Sequence, residues 1–156
     1  KAYRDGTCTL LTGDLAALAH ERTTMAKPSE HFILPELVAQ EQTGPFVRQG
    51  DDPWLTVVHW TLLALIEAEQ LGLSSAIVRD LPEVREPALR RFLGVDAGLG
   101  AALGLPPNWT ERVIASVGNY GEMFNRTLGE KSRLNLPRGA NNLWSGGGLM
   151  IAPQFR

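Results

Sequence analysis

Cysteine is almost missing from this chain. Cys8 stands alone, so no internal disulfide can form and the redox compartment cannot be read from it. It is either a small buried residue or half of a bridge whose partner lies outside these residues. Long apolar runs are absent as well. The longest, around Leu62 to Ile66, is far too short to span a bilayer. Charge of one sign is scarce: 15 basic against 17 acidic residues give a net charge of -2, which leaves no footprint for nucleic acid. His20, His31 and His59 are scattered without ligand spacing, so no metal site is expected. No Gly-x-Ser-x-Gly elbow occurs, and Cys8 has no cationic neighbour in sequence to activate it. Gly146-Gly147-Gly148 is not followed by Lys-Ser/Thr, so it is not a phosphate loop. The expectation is a protein that is not an enzyme and carries no cofactor.

What is present is a chain of 156 residues, 44% of them apolar, enough for one ordinary domain with a sizeable core. Glycine and proline divide it. Ala2 to Asp5 reads as the last turn of a helix stopped by Gly6. Thr7 to Thr12 is β-branched and apolar, a short buried strand. Asp14 then caps a helix from Leu15 to about Thr24, with Leu15, Leu18 and Ala19 inward. Lys27-Pro28-Ser29 is a turn. His31 to Val38 is extended, and Pro35 restricts it to an edge or crossing strand.

Residues 42 to 66 carry the most information. Thr43 to Arg48 is β-prone and ends at Gln49-Gly50. Asp52 before Pro53 makes a helix start, because proline at the first helical position loses no hydrogen bond. Trp54, Val57, Val58, Thr61 and Leu65 recur at helical spacing and define a buried face. That helix runs to Leu71 and stops at Gly72. Shorter helices follow: Pro87 to Leu93, Gly98 to Leu103, one opened by Asn108-Trp109-Thr110-Glu111 and stopped at Gly118, and Tyr120 to Leu128. The tail from Leu134 to Arg156 is loop-rich, with one helical turn near Asn141 to Trp144.

Gly6-Thr7-Cys8-Thr9-Leu10-Leu11-Thr12-Gly13-Asp14 combines a strand, a tight turn and an acid at a helix start. In open α/β sheets the carboxyl end of a strand faces the ligand crevice. Asp14 is therefore either a ligand-facing carboxylate or simply a helix cap, and the local pattern favours the cap. Pro35 and Pro45 limit backbone freedom around Gly44, which permits a large φ/ψ change. That stretch is either a hinge or an ordinary surface loop.

Read together, Thr43 to Trp60, Ser116 to Gly129 and Gly139 to Pro153 resemble the solute-binding proteins of amino-acid ABC importers, specifically the general L-amino-acid-binding proteins of Gram-negative bacteria. The resemblance runs in one order from Gly6 to the C-terminus. It implies an α/β fold: the C-terminal portion of a two-lobed, type II periplasmic binding protein, helix-rich here, with about three short strands. Residues 1–38 would end the second lobe, 39–48 would form a hinge crossing strand, 49–133 would be helices returning to the first lobe, and 134–156 a C-terminal strap. Lys1 matches a point inside the second lobe, which makes the chain the later part of a longer protein. Implied function is capture of L-amino acids in the periplasm for ABC-transporter uptake. The resemblance assigns Asp14 to the ligand's α-ammonium, with Thr12 and Gly13 flanking it, and Gly44 and Pro45 to the hinge. Gly13 stands where the family usually has Ser, and Leu10-Leu11 replaces a more polar pair. Implied partners are the amino acid, the permease membrane subunits, and either the missing N-terminal half or a second copy. The alternative is a helical protein-interaction module that binds no ligand.

Overall fold

A computed structural model describes residues 1–81, 84–96 and 99–155. The chain divides into two units: 1–43 with 125–137, and 44–124 with 138–156.

In the first unit, Asp5 N–H, Gly6 N–H and Thr7 N–H close back onto Lys1, Tyr3 and Ala2 carbonyls, so the expected helical turn before Gly6 is present. Helix α1 spans Leu15–Thr23. Only Ala19 on it is fully buried; Leu15 keeps 38% of its surface exposed, so the expected inward stripe is only partly formed. Arg22 Nη2 donates to the Leu134 carbonyl (3.0 Å), and Leu136 N–H donates to the Leu128 carbonyl (2.9 Å). Tyr3 and His31 share a hydrogen bond of 2.8 Å, and Arg4 pairs with Glu21.

The second unit is built on α2, Asp52–Gln70. Its cap is Asp51, one residue before the expected Asp52: the Asp51 carboxylate accepts from Trp54 N–H at 3.2 Å. Two adjacent aspartates both suit the role. Asp51 takes it because its backbone (φ -104, ψ 66) is the last one outside the helix, and Asp52 already belongs to the first turn. The helix ends at Gly72, where φ of +69 lets Gly72 and Leu73 N–H groups return to Glu69 and Ala68 carbonyls. Burial along α2 is uneven. Trp54 is 54% exposed, whereas Ala64 to Ala68 are all buried, so the expected inward face fails at its first member.

Short helices follow: α3 (Ser75–Arg79), α4 (Pro87–Phe92), α5 (Leu99–Ala102), α6 (Trp109–Val117) and α7 (Tyr120–Thr127). α3 was not anticipated, although Ser74 caps it by accepting from Ile77 N–H. Gly98, expected to open α5, lies outside the described residues. Gly94 has φ +73 and passes so close to the Pro107 carbonyl that a Cβ would sit 1.8 Å from its oxygen. α6 and α2 pack together, as do α6 and α3. Their core includes Leu65, Phe92, Trp109 and Ile114. Phe155, from the tail, enters it edge-on between Trp60 and Phe92, each 5.3 Å away between ring centroids.

Two expectations about helix starts change places. Asn108 makes no cap bond; its amide donates to Glu111 instead (3.4 Å). The reciprocal capping box forms one helix later: Glu122 accepts from Asn119 N–H, and Asn119 Oδ1 accepts from Glu122 N–H, both at 2.9 Å. The tail carries two 3-10 turns, Gly139–Asn141 and Trp144–Gly146, in place of one, joined by a parallel bridge between Leu143 and Met150.

The strands expected at 7–12, 31–38 and 43–48 are not formed. That lone bridge is the only β pairing among the described residues. Residues 32–47 belong to no helix or strand, and their backbone makes no hydrogen bond to another segment among the described residues. A strand exists by virtue of its partner, and none pairs with these segments among the described residues. Phe32, Val38 and Phe46 accordingly keep 83%, 96% and 98% of their surface.

Asp51→Ala removes the α2 cap and should cost about 0.5–2 kcal/mol in urea melts, while Asp52→Ala should cost less. Glu67, 5% exposed, hydrogen-bonds to Gln70, and burial pushes its carboxyl above the ordinary range. A raised folded value adds stability at low pH, which is lost as pH rises through it. Glu67→Gln should therefore be more stable than the parent at about pH 8, with the advantage gone by about pH 4.

Candidate functional site

The candidate site is the turn into α1. Asp14 has φ -58 and ψ 137, outside the helical region, so its side chain folds back over the helix start. Oδ1 accepts from Ala17 N–H at 2.9 Å. Oδ2 has no partner among the described residues and faces solvent with the rest of an exposed side chain. The free N–H groups of the first turn favour a negative charge there. The arrangement offers one carboxylate oxygen held by the fold and one open to a cation.

Thr12 and Gly13 precede it, both exposed. A Cβ on Gly13 would meet only Leu18, at an ordinary 3.5 Å, so glycine is not sterically required and a serine would fit. Leu10 and Leu11 are 64% and 46% exposed. An open cleft of about 200 Å³ lies nearby in sequence, lined by Tyr3, Arg4, Cys8, Leu10, Glu21 and Met25 among others. Thr12, Gly13 and Asp14 are not in its lining. Cys8 is a free, exposed thiol. Among the described residues no three His, Cys, Asp or Glu side chains cluster as metal ligands.

Gly44 and Pro45 lie where the chain passes from one unit to the other, between Thr43 and Gly44. Both are exposed, and a Cβ on Gly44 would meet nothing within 4 Å.

Sequence reasoning missed a polar cluster in the second unit. Arg138 forms a two-pronged ion pair with Glu69, at 3.0 and 3.1 Å. The same guanidinium donates to the Asn141 carbonyl through Nε (3.0 Å) and Nη2 (2.8 Å). It lies 5.4 Å from the Tyr120 ring centroid and 5.3 Å from that of Phe124. Burial pushes the Tyr120 hydroxyl up in pKa, and the Arg138 charge opposes that rise. Tyr120 and Phe124 had the visible signal of an i, i+4 stripe, but nothing local ties position 69 to position 138.

The chain matches no family model. It is 45% identical to the general L-amino acid-binding periplasmic protein of Rhizobium johnstonii, over 99% of this chain and 46% of that protein. Identity to a putative amino-acid ABC transporter-binding protein of Escherichia coli K12 is 39%, over 100% of this chain and 46% of the relative. Identity to a glutamate/glutamine/aspartate/asparagine-binding protein of Rhodobacter capsulatus is 38%, over 99% and 46%. Among solved structures, an ABC transporter periplasmic binding protein from Brucella ovis, with glutathione bound, superposes with a TM-score of 0.88. That match has 41% identity and covers 99% of this chain and 49% of that one. The chain thus spans about half the length of the relatives it matches.

Proposed function

We propose, from a chain homologous over its whole length to amino-acid-binding periplasmic proteins of ABC transporters, that this protein serves the capture of L-amino acids for ABC-transporter uptake. The observation that carries the reading is the identity of 38 to 45% to three such proteins, sustained over at least 99% of the chain. Its place of work is the Gram-negative periplasm, and its partners are the amino acid and the permease membrane subunits. Binding and release make and break no covalent bond, so the protein acts as a receptor and not as an enzyme.

An amino-acid zwitterion entering a closing cleft loses water at both charged ends. The ammonium then needs a fixed, ionised acceptor, since burying an unpaired charge is very costly. Asp14 fits this role through its unpartnered Oδ2 and its anchored Oδ1. Thr12 and Gly13 flank the ligand. Gly44 and Pro45 act as the hinge; the passage between units at Thr43 and Gly44 supports this. In the type II fold the segments at 7–12, 31–38 and 43–48 pair as strands with chain from the remaining length of the protein. Their exposed apolar side chains support this. The division at 1–38, 39–48, 49–133 and 134–156 follows the same fold.

A second reading has one observation behind it: the Brucella ovis structure holds glutathione. Glutathione carries a free α-amino-acid end on its γ-glutamyl residue, so Asp14 would meet the same ammonium, with a longer ligand behind it.

Calorimetric titration of the gene's complete product with a panel of L-amino acids and with glutathione distinguishes these readings. Asp14→Asn keeps the cap, since Asn and Asp cap about equally well, but removes the charge. It should weaken binding by about ten- to a hundredfold, the loss of a charge-assisted hydrogen bond. Melting without ligand should barely change. Parent-like affinity in Asp14→Asn would make Asp14 a cap alone, and no binding of either ligand class would favour an interaction module.

A further inference from the structure

The chain passes between the two units at three places: Thr43 to Gly44, Phe124 to Asn125, and Pro137 to Arg138. On the side of the second unit these passages are held very differently. Among the described residues, no hydrogen bond or ion pair ties Gly44, Pro45, Phe46 or Val47 to the second unit, and Phe46 is 98% exposed. Phe124, the last residue before the second passage, is 6% exposed. Arg138, the first residue after the third passage, has its guanidinium over the Phe124 ring. One side chain thus touches both the point where the chain leaves the second unit and the point where it returns.

We propose that Arg138 is a positioning residue that pins the second and third passages together onto α2, leaving the Gly44 passage as the one free to bend. Glu69, near the buried end of α2, supplies the counter-charge, and both partners keep only 17% of their side-chain surface. The fork geometry matters. Two parallel N–H donors on one carboxylate fix the plane of the guanidinium, which lysine, a point charge on a flexible stem, does not do. That plane sets the contact with the Tyr120 and Phe124 rings. Asn141 closes the arrangement: its carbonyl accepts from Arg138, and its Oδ1 accepts from the Tyr120 hydroxyl at 3.0 Å.

Gly121 gives this arrangement an independent signature. It lies in α7 between Tyr120 and Phe124, and a Cβ there would sit 2.8 Å from both Arg138 Nη1 and Glu69 Oε1. By helix propensity alone, alanine would be favoured over glycine at that position. The absence of a side chain lets the ion pair lie against the α7 backbone. This inference rests on the division into units and on the cluster, and is independent of which ligand is bound.

Hydrogen-exchange mass spectrometry on the whole chain tests it, with Arg138→Met, Arg138→Lys and Gly121→Ala. Arg138→Met keeps the bulk between the rings, and Arg138→Lys keeps the charge but not the fork. Amides at 120–124 and 138–142 should exchange roughly tenfold faster in all three variants. Amides at 113–116 in α6 and at 46–50 should match the parent. Unchanged exchange at 120–124 and 138–142, a rise at only one of them, or an equal rise across α6 that marks global loosening, would each overturn the proposal. Gly121→Ala guards against a trivial loss of folding, since it leaves both charges in place.

Discussion

Five consecutive residues of α2, Ala64 to Ala68, are buried, and the second unit is organised around that fact. A helix buried on every side must be enclosed by several elements, because adjacent residues point in different directions around its axis. α6 packs on it directly, Leu73 turns back beneath it, and Val78, Phe92 and Leu93 join the same cluster. The tail closes the remaining side through polar links: Glu69 holds Arg138, and Gln70 exchanges hydrogen bonds with the backbone of Ala152 in both directions. Phe155 then fills the aromatic pocket made by Trp60, Phe92 and Trp109. Each large side chain so buried contributes about 1.5–3 kcal/mol, and the tail is thereby part of the core.

The opposite condition holds at 7–12 and 32–47. These segments have the composition of strands but no ladder among the described residues. β-propensity describes how well a side chain suits a pleated, half-buried surface, and it acts only when that surface exists. The exposure of Leu10, Phe32, Val38 and Phe46 is the packing counterpart of the same vacancy of partners.

Asp14 is the helix cap on which the proposed ligand role also rests. Capping fixes the carboxylate and uses a single oxygen, which is the condition for the second oxygen to meet a cation without reorganisation. The cap was legible from Gly13-Asp14-Leu15 alone. The proposed ligand role came from resemblance to a family, since the local pattern fits both uses. The cluster of Arg138, Glu69, Tyr120 and Phe124 was not legible, because its charged partners are 69 positions apart.

What the sequence determined by itself is local in its physics. The stops at Gly6, Gly72 and Gly118 follow from glycine's tolerance of positive φ, and the structure has positive φ at each. The start of α1 at Asp14 and the run of α2 follow from capping and apolar spacing. Where two local candidates competed, only the folded chain chose. Asp51 displaced Asp52 by one residue. Asn119 formed the capping box expected at Asn108, and its side-chain amide also donates a hydrogen bond to the Leu73 carbonyl. Tertiary structure alone decided which half of α2 is buried, that Phe155 belongs to the core, and that no strand forms among the described residues. Each of these depends on which distant segments come together, and strand pairing, ion pairing and burial are properties of two partners that neither segment encodes alone.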